Sequence, residues 1–330
     1  AVFDAFKLLE EIGELNMWVR GAGIVDIRRE EDLKAQVETL KNLRDTYNSE
    51  LFKITTAGEI FIDGVVEGLT ARLLEPYEEA AGKGPDYYGI YYWEDMGALK
   101  EAFKLLNSAG FQIHIHAIGD RAVRDALDAL EYARISVPGD HRNAITHLQL
   151  VSTDDVSRFK ELGIIANVQV FWHLKEPGWW EYVDAPFLGE RAKHQYPLGS
   201  LFRAGAVVVS SSDHPVTPIP NPLWGIKVGV TRNLSNAEFY GVEDIENVDD
   251  PTWLLNKEER VSLKDMIKSF SANNAYSLFL DDKTGTIALG KYADLVILEE
   301  DLFVINPLRI DGVKILKTIF RGKVVYHAEK

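Results

Sequence analysis

Alternating apolar and polar positions near the middle of the chain predict a strand that carries two histidines on one face. Ile113 and Ile115 alternate with His114 and His116, and successive strand side chains point to opposite faces. A glycine at position 119 favours a turn, and apolar residues then recur at helical spacing, with Asp120 as a candidate cap. We therefore expect His116 at the C-terminal end of a strand, where α/β barrels build their active sites.

A repeated helix–glycine–strand pattern predicts a parallel sheet covered by helices. In each unit an amphipathic helix ends at a glycine, which can adopt the left-handed cap conformation, and a β-branched run follows. Such alternation is typical of α/β folds. The predicted helices are residues 1–14, 30–47, 94–109, 153–162 and 198–204, and the predicted strands are residues 15–20, 52–62, 111–117, 144–147, 164–170 and 206–212. Ser152 and Asp155 also match a capping box.

The remaining stretches predict loops and a second, smaller unit. Loops are predicted at residues 70–92 and 233–256, the latter as an acidic insertion or lid, a further helix at 262–277, and strands at 285–298 and 313–325. Arg321-Gly322-Lys323 is a hairpin signal within the last strands. Because the composition changes near residue 280, we predict two domains, residues 1–280 and residues 281–330.

Composition narrows the kinds of partner and ligand. The chain has 330 residues, 36 Lys and Arg against 51 Asp and Glu, a net charge of −15, and no cysteine. The acidic surplus disfavours nucleic acid, whose binding depends on basic side chains that neutralise phosphates. No apolar run approaches the roughly 20 residues needed to span a bilayer. We expect a cytoplasmic protein that acts on a small molecule, with self-association into a homo-oligomer left open. Without thiolates, a bound metal would need histidine and carboxylate ligands.

Polar side chains that bind metals or transfer protons recur at the ends of the predicted strands. They are Glu59 or Lys53, His116, His147 and Asp213. In a parallel sheet these ends meet at one edge, so residues distant in sequence can converge there. Imidazoles and carboxylates suit Zn, Mn or Fe(II), and a metal so held can activate water for hydrolysis. The alternative is that the histidines are buried and hydrogen-bonded to the backbone, without a chemical role.

Three segments carry ordered motifs: residues 114–122 (HIHAIGDRA), 145–149 (ITHLQ) and 212–215 (SDHP). They resemble the fifth-, sixth- and eighth-strand motifs of the amidohydrolase superfamily, in the branch that includes N-substituted formamide deformylases. Residues 285–296 and 321–325 are similar to the return into that family's small β-sandwich. The resemblance implies a metal-dependent hydrolase of the (β/α) TIM-barrel type, with a small C-terminal β unit from a composite β-sandwich.

By this resemblance His116, His147 and Asp213 are metal ligands, and Asp213 is also the general base. The fourth strand of this branch usually carries a lysine where this chain has Glu59, and Lys53 is the alternative ligand. The family's first-strand His-x-His pair has no counterpart here, and the readable strands begin at what would be the third. The resemblance therefore implies a barrel that lacks its first strands, either a fragment or a form closed by a partner. It implies one metal site, or two if such a pair is supplied.

The activity that the resemblance implies is hydrolysis of a non-peptide carbon–nitrogen bond, with zinc as the expected metal and manganese or iron as alternatives. Asp213 would take a proton from the attacking water and pass it to the leaving amine, and His147 would stabilise the developing oxyanion. Arg72, Trp93 and His173 are candidate substrate contacts. The alternative is a catalytically inactive chain that keeps the fold for binding or assembly.

Overall fold

The computed structural model describes residues 2–26, 32–93 and 95–328. Within these residues six strands form one parallel sheet, and their order in space follows the chain. The strands are β1 Val19–Gly23, β2 Phe52–Phe61, β3 Gln112–Ala117, β4 Ala144–His147, β5 Ile165–Val168 and β6 Val207–Ser210. The predicted α/β fold with a parallel sheet is confirmed. Because the strands run in one direction, their C-terminal ends lie along a single edge of the sheet.

Helices connect the strands and cover the sheet. They are α1 Val2–Glu11, α2 Leu33–Tyr47, α3 Met96–Ser108, α4 Asp120–Ser136, α5 Thr153–Leu162, α6 Ala185–Leu188, α7 Leu198–Arg203, α8 Pro222–Thr231, α9 Ala237–Tyr240, α10 Leu263–Phe270 and α11 Ala272–Ser277. Shorter helical turns lie at Glu79–Ala81, Val170–Trp172, Trp180–Asp184, Gly189–His194, Lys257–Glu259 and Pro307–Gly312. The predicted starts of two helices, Glu30 and Glu94, lie outside the described residues. None of the helices in the described ranges combines the length and apolar character that crossing a membrane requires.

Glycines at three helix ends turn the chain back into the sheet. Gly110, Gly163 and Gly205 have φ angles of 78°, 66° and 78°, the left-handed conformation that glycine adopts without steric cost. The next amide then bonds a carbonyl of the preceding helix, as from Ile164 N–H to Phe159 O at 2.8 Å. These caps confirm the predicted helix–glycine–strand units, in which α3, α5 and α7 lead into β3, β5 and β6.

The capping box predicted at the start of α5 is wrong. Ser152 precedes the helix, but its side chain makes no bond to a helix amide. Its hydroxyl oxygen instead accepts a hydrogen bond from the Arg124 guanidinium at 3.2 Å, and the same guanidinium binds Asp155 at 2.8 Å. Ser152 and Asp155 therefore both bind Arg124, which is distant in sequence, instead of forming the capping box.

Two other local predictions also need correction. Asp120 is the first residue of α4 rather than its cap, and its carboxylate accepts a hydrogen bond from Leu74 N–H at 2.8 Å. The single helix expected at residues 262–277 is two helices, α10 and α11. Ser271 separates them, because its φ of −130° and ψ of −89° are not helical.

A three-stranded antiparallel sheet lies near the C-terminus. Its strands are β7 Leu295–Leu298, β8 Ile315–Phe320 and β9 Lys323–His327. Arg321 and Gly322 connect β8 to β9 with φ angles of 51° and 80°, as a two-residue hairpin turn requires. Asp294 accepts hydrogen bonds from Arg321 N–H at 2.7 Å and from the Trp18 indole at 2.8 Å. This sheet therefore contacts the segment that leads into β1, and the division into two domains stays a prediction.

The outer edge of β6 is covered by side chains. Within the described residues β1 and β6 are the two edges of the parallel sheet. Asn273 and Asn274, from α11, donate side-chain hydrogen bonds to Val208 O and Ser210 O at 2.8 and 2.9 Å. These amides satisfy strand carbonyls that would otherwise be open to pairing with another strand.

A buried ion pair connects α8 to the turn at residues 307–312. Lys227 is fully buried, and its Nζ lies 2.9 Å from Asp311 Oδ2. The same carboxylate oxygen accepts hydrogen bonds from the Ser235 hydroxyl and the Asn236 N–H. A buried lysine is tolerated only when its charge is compensated in this way.

We expect Asp311→Ala to lower the free energy of unfolding by about 3 kcal/mol, because it leaves the Lys227 charge buried without its close partner. The double variant Lys227→Met with Asp311→Ala should lose less, since no charge is then left buried. Urea unfolding followed by circular dichroism measures both values. Glu38→Ala, which removes an exposed pair with Lys41, is the control and should cost less than about 1 kcal/mol. A loss at Asp311 no larger than at Glu38 would contradict the role of this pair.

Candidate metal centre

Three potential metal ligands converge at the C-terminal ends of neighbouring strands. They are Glu59 on β2, His116 on β3 and His147 on β4, and their ligand atoms all lie within 4.8 Å of one another. Glu59 Oε1 lies 3.5 Å from His116 Nδ1 and 3.2 Å from His147 Nε2. The group combines one carboxylate with two imidazoles, a donor set that suits zinc and related divalent metals.

A bulge in β2 places Glu59 toward the histidines. Ala57 pairs with Ile113 and Ile60 with Ile115, so β2 has one more residue than β3 over this stretch. The extra residue re-aims the side chain that follows. Gly58 is required here, because its φ is 149° and a Cβ would lie 2.5 Å from the His114 carbonyl oxygen.

In each histidine, the ring nitrogen that points away from Glu59 lies next to a hydrogen-bond acceptor. His147 Nδ1 lies 2.8 Å from Gln169 Oε1. The Gln169 amide nitrogen donates to Thr146 and Ser211, so its oxygen is the atom left to accept from His147. His116 Nε2 lies 3.1 Å from the Gly64 carbonyl oxygen. Each imidazole can therefore donate its outer N–H and keep its other nitrogen toward Glu59, the arrangement found around metal-binding histidines.

The electrostatics of the group favour an ionised glutamate. Burial alone would raise the pKa of Glu59, but the hydrogen bonds and charges of His116 and His147 outweigh it and hold that pKa well below its usual range. Burial lowers the pKa of His116, yet the hydrogen bond to Glu59 and the charge of Asp63 leave it raised overall. An ionised carboxylate in a largely buried site favours a positive charge beside it, and a bound cation would supply that charge.

Asp63 is a residue that the sequence analysis missed as part of this site. Its carboxylate is fully buried and accepts hydrogen bonds from the N–H groups of Ile118, Gly119 and Arg72 at 2.8 to 3.0 Å. Burial raises the pKa of Asp63 to about 6 against these bonds and the nearby His116, whose Nε2 lies 3.8 Å away. Asp63 therefore ties the loops after β2 and β3 together behind His116. In the sequence, Asp63 and Gly64 form an Asp-Gly pair, which is a turn signal and gives no sign of this role.

Asp213 lies outside the three-ligand group. It follows β6 by three residues, is partly exposed, and has a φ of 54°. Burial lowers the pKa of His114, and the charges of Glu59 and Asp213 oppose that shift. Lys53, the alternative to Glu59, lies near the start of β2, opposite Arg20 in the strand register. It is therefore away from the ligand group.

Each of the three candidate substrate contacts interacts with other residues of the chain. The Arg72 guanidinium lies over the Tyr91 ring at 3.9 Å. Trp93 is buried and donates to Phe61 O at 2.9 Å. His173 is fully buried and stacks on Tyr196 with ring centroids 4.5 Å apart. None of the three belongs to the ligand group, and their role as substrate contacts stays a prediction.

Comparison with known proteins gives consistent matches. Residues 14–326 match the amidohydrolase family. The putative amidohydrolase YtcJ of Bacillus subtilis is 27% identical, over 82% of this chain and 47% of its own length. N-substituted formamide deformylase of Arthrobacter pascens is 25% identical, over 66% of this chain and 37% of its own length. The chain thus spans about half, or less, of the length of the relatives it matches.

A solved structure shares the fold. The crystal structure of an uncharacterised metal-dependent hydrolase from Pyrococcus horikoshii superposes with a TM-score of 0.70 and 23% sequence identity. The superposition covers 92% of this chain and 55% of that chain. At this level of identity the likeness concerns the fold alone.

We expect Gln169→Leu to weaken zinc binding by about 10- to 100-fold, because His147 loses the acceptor that fixes its orientation. Competition with a chromophoric chelator measures the affinity of the metal-free protein for added zinc. Gln195→Leu is the matched control, since Gln195 is also buried but bonds Asp184 and Gln149 instead. Equal zinc affinity in the two variants would show that Gln169 does not support a metal ligand.

Proposed function

The chain belongs to the amidohydrolase family, and we propose that it carries the metal site of a hydrolase that cleaves a non-peptide carbon–nitrogen bond of the amide type. One observation carries the proposal: Glu59, His116 and His147 converge. The outer nitrogen of each histidine is already hydrogen-bonded, and its other nitrogen lies toward the Glu59 carboxylate. Buried histidines with a purely structural role can be satisfied by backbone hydrogen bonds and do not require a shared carboxylate. The name of the deformylase relative supports the choice of bond.

We propose a fold of the (β/α)-barrel type, to which the six parallel strands of the described residues contribute. Support comes from the order of these strands in space, which follows the chain. We propose residues 1–280 as the catalytic domain and residues 281–330 as part of a composite β-sandwich. The three-stranded sheet between residues 295 and 327 suits that assignment, since both of its faces keep apolar side chains at least partly exposed.

We propose that Glu59, His116 and His147 hold one divalent metal, with Asp213 as a further ligand. Zinc fits the donor set best, and manganese or iron(II) are the alternatives. A second metal would need a further His-x-His pair at the same edge of the sheet. When bound, the metal would supply a Lewis acid that polarises a carbonyl and makes a water molecule more acidic.

The chain's own residues would orient the reactants and move protons. Asp213 is proposed to accept a proton from the attacking water and to deliver it to the leaving amine nitrogen. Both nitrogens of His147 are engaged, one with Gln169 and one toward Glu59. Stabilisation of an oxyanion by His147 therefore does not fit this geometry, and we propose it as a ligand alone.

We expect the metal-free protein to bind one equivalent of zinc, and His116→Ala to lose that stoichiometry because it removes a ligand atom. Elemental analysis after reconstitution and desalting measures the content. His141→Ala is the control, because the His141 ring bonds Val137 O away from the site and should leave zinc binding intact. Absence of stoichiometric zinc in the unmodified protein would favour the alternative of an inactive chain that serves binding or assembly.

We expect Asp213→Asn to lower kcat by about 100-fold or more, the size of effect that a general base contributes. Amine release from a panel of N-substituted formamides measures turnover, with circular dichroism to verify folding. Asp301→Asn, at an exposed turn, should retain the full rate. An undiminished rate in Asp213→Asn would remove Asp213 from the mechanism, and its zinc content reports separately whether it is a ligand.

A further inference from the structure

A pocket of about 260 Å³ opens beside the metal centre. It lies past the C-terminal ends of β5 and β6, between the turn after β5, the loop after β6, and helices α8 and α9. Its walls are largely apolar and aromatic, with Trp172, Trp224, Phe239, Tyr240 and Val228 among them. An engineered cavity of about 150 Å³ is enough to bind benzene, so this pocket has room for an aromatic ring with a substituent.

The pocket and the metal centre share a wall. The Trp172 ring lines the pocket and stacks on His147, with centroids 5.7 Å apart and planes at 9°. Its indole nitrogen donates to Thr217 Oγ1 at 3.0 Å, and Thr217 belongs to the loop that carries Asp213. The pocket and the ligand group therefore lie next to each other, with Trp172 between them.

One carboxylate gives the pocket a charge preference. Among the described residues that line it, Glu176 is the one with a charged side chain, and its Oε1 accepts a hydrogen bond from the Tyr240 hydroxyl at 3.3 Å. Burial raises the pKa of Glu176, with the Tyr240 bond acting against it. A ligand that brings a positive charge would relieve the cost of burying this carboxylate, and aromatic walls also attract cations. An anion would be repelled.

We propose that this pocket binds the substituent of the substrate and selects one that is aromatic and carries an ammonium group. The proposal rests on the proposed function for the position of the reacting bond. The ring would pack between Trp172 and Trp224, and the ammonium would face Glu176. Specificity among amides would then be decided by residues that contact no metal.

The test is binding of benzylamine, benzyl alcohol and benzoate to the full chain, measured by calorimetry without bound zinc, because the amine and the carboxylate can themselves bind zinc. These probes share a ring and differ in charge, so benzylamine should bind tightest and benzoate weakest. Glu176→Gln should weaken benzylamine by about 10-fold and leave benzyl alcohol unchanged. Trp224→Ala should weaken both of these probes, because it removes a wall. Glu181→Gln is the matched control, since Glu181 lies outside the pocket lining and is exposed.

Two results would overturn the inference: benzoate binding as tightly as benzylamine, or Glu176→Gln leaving the benzylamine affinity unchanged in a protein that circular dichroism shows to be folded. Failure of the proposed function looks different. It would appear as missing zinc or missing turnover while benzylamine still binds with a preference that depends on Glu176.

Discussion

The site depends on the register between three parallel strands. His116 lies opposite Phe61 on one side and Thr146 on the other, and His147 lies opposite Ala117. Side chains alternate between faces along a strand, so a slip of one residue would turn one ligand away from the other two. The bulge at Gly58 adds one residue to β2 between paired positions, and this is what brings Glu59 level with the histidines. Strand pairing, more than any single side chain, sets the donor geometry.

Buried polar groups maintain that geometry. Burying them costs desolvation free energy, which hydrogen bonds offset. Asp63 is fully enclosed, and three N–H groups from two other segments compensate its carboxylate. Gln169 joins His147 to Thr146 and Ser211, so β4, β5 and the end of β6 share one hydrogen-bonded network. A network of this kind is favourable only when its members are satisfied. It therefore limits how far each ligand can rotate, which a preorganised metal site requires.

In this member of the amidohydrolase family, the ligand group and the neighbouring pocket are built from different parts of the fold. The ligand group lies where parallel strands end, and the pocket is built from loops and short helices beyond them. Loops vary more freely than strands, so one metal site can serve many substrates as its pocket changes. Trp172 belongs to both parts, because its ring contacts His147 and lines the pocket.

The sequence by itself determined what local rules govern. Helix–glycine–strand units, their order, and the positions of His116 and His147 at strand ends could be read from spacing, because side-chain periodicity and glycine caps act over a few residues. Spacing left Glu59 and Lys53 as alternatives, and the family resemblance favoured Glu59. Tertiary structure decided the rest. Ser152 binds Arg124 instead of capping its helix. Asp63 and Gln169 bind partners distant in sequence. Glu176 lines a pocket built from four separate segments. These contacts follow from how elements pack in space, and no local pattern encodes them.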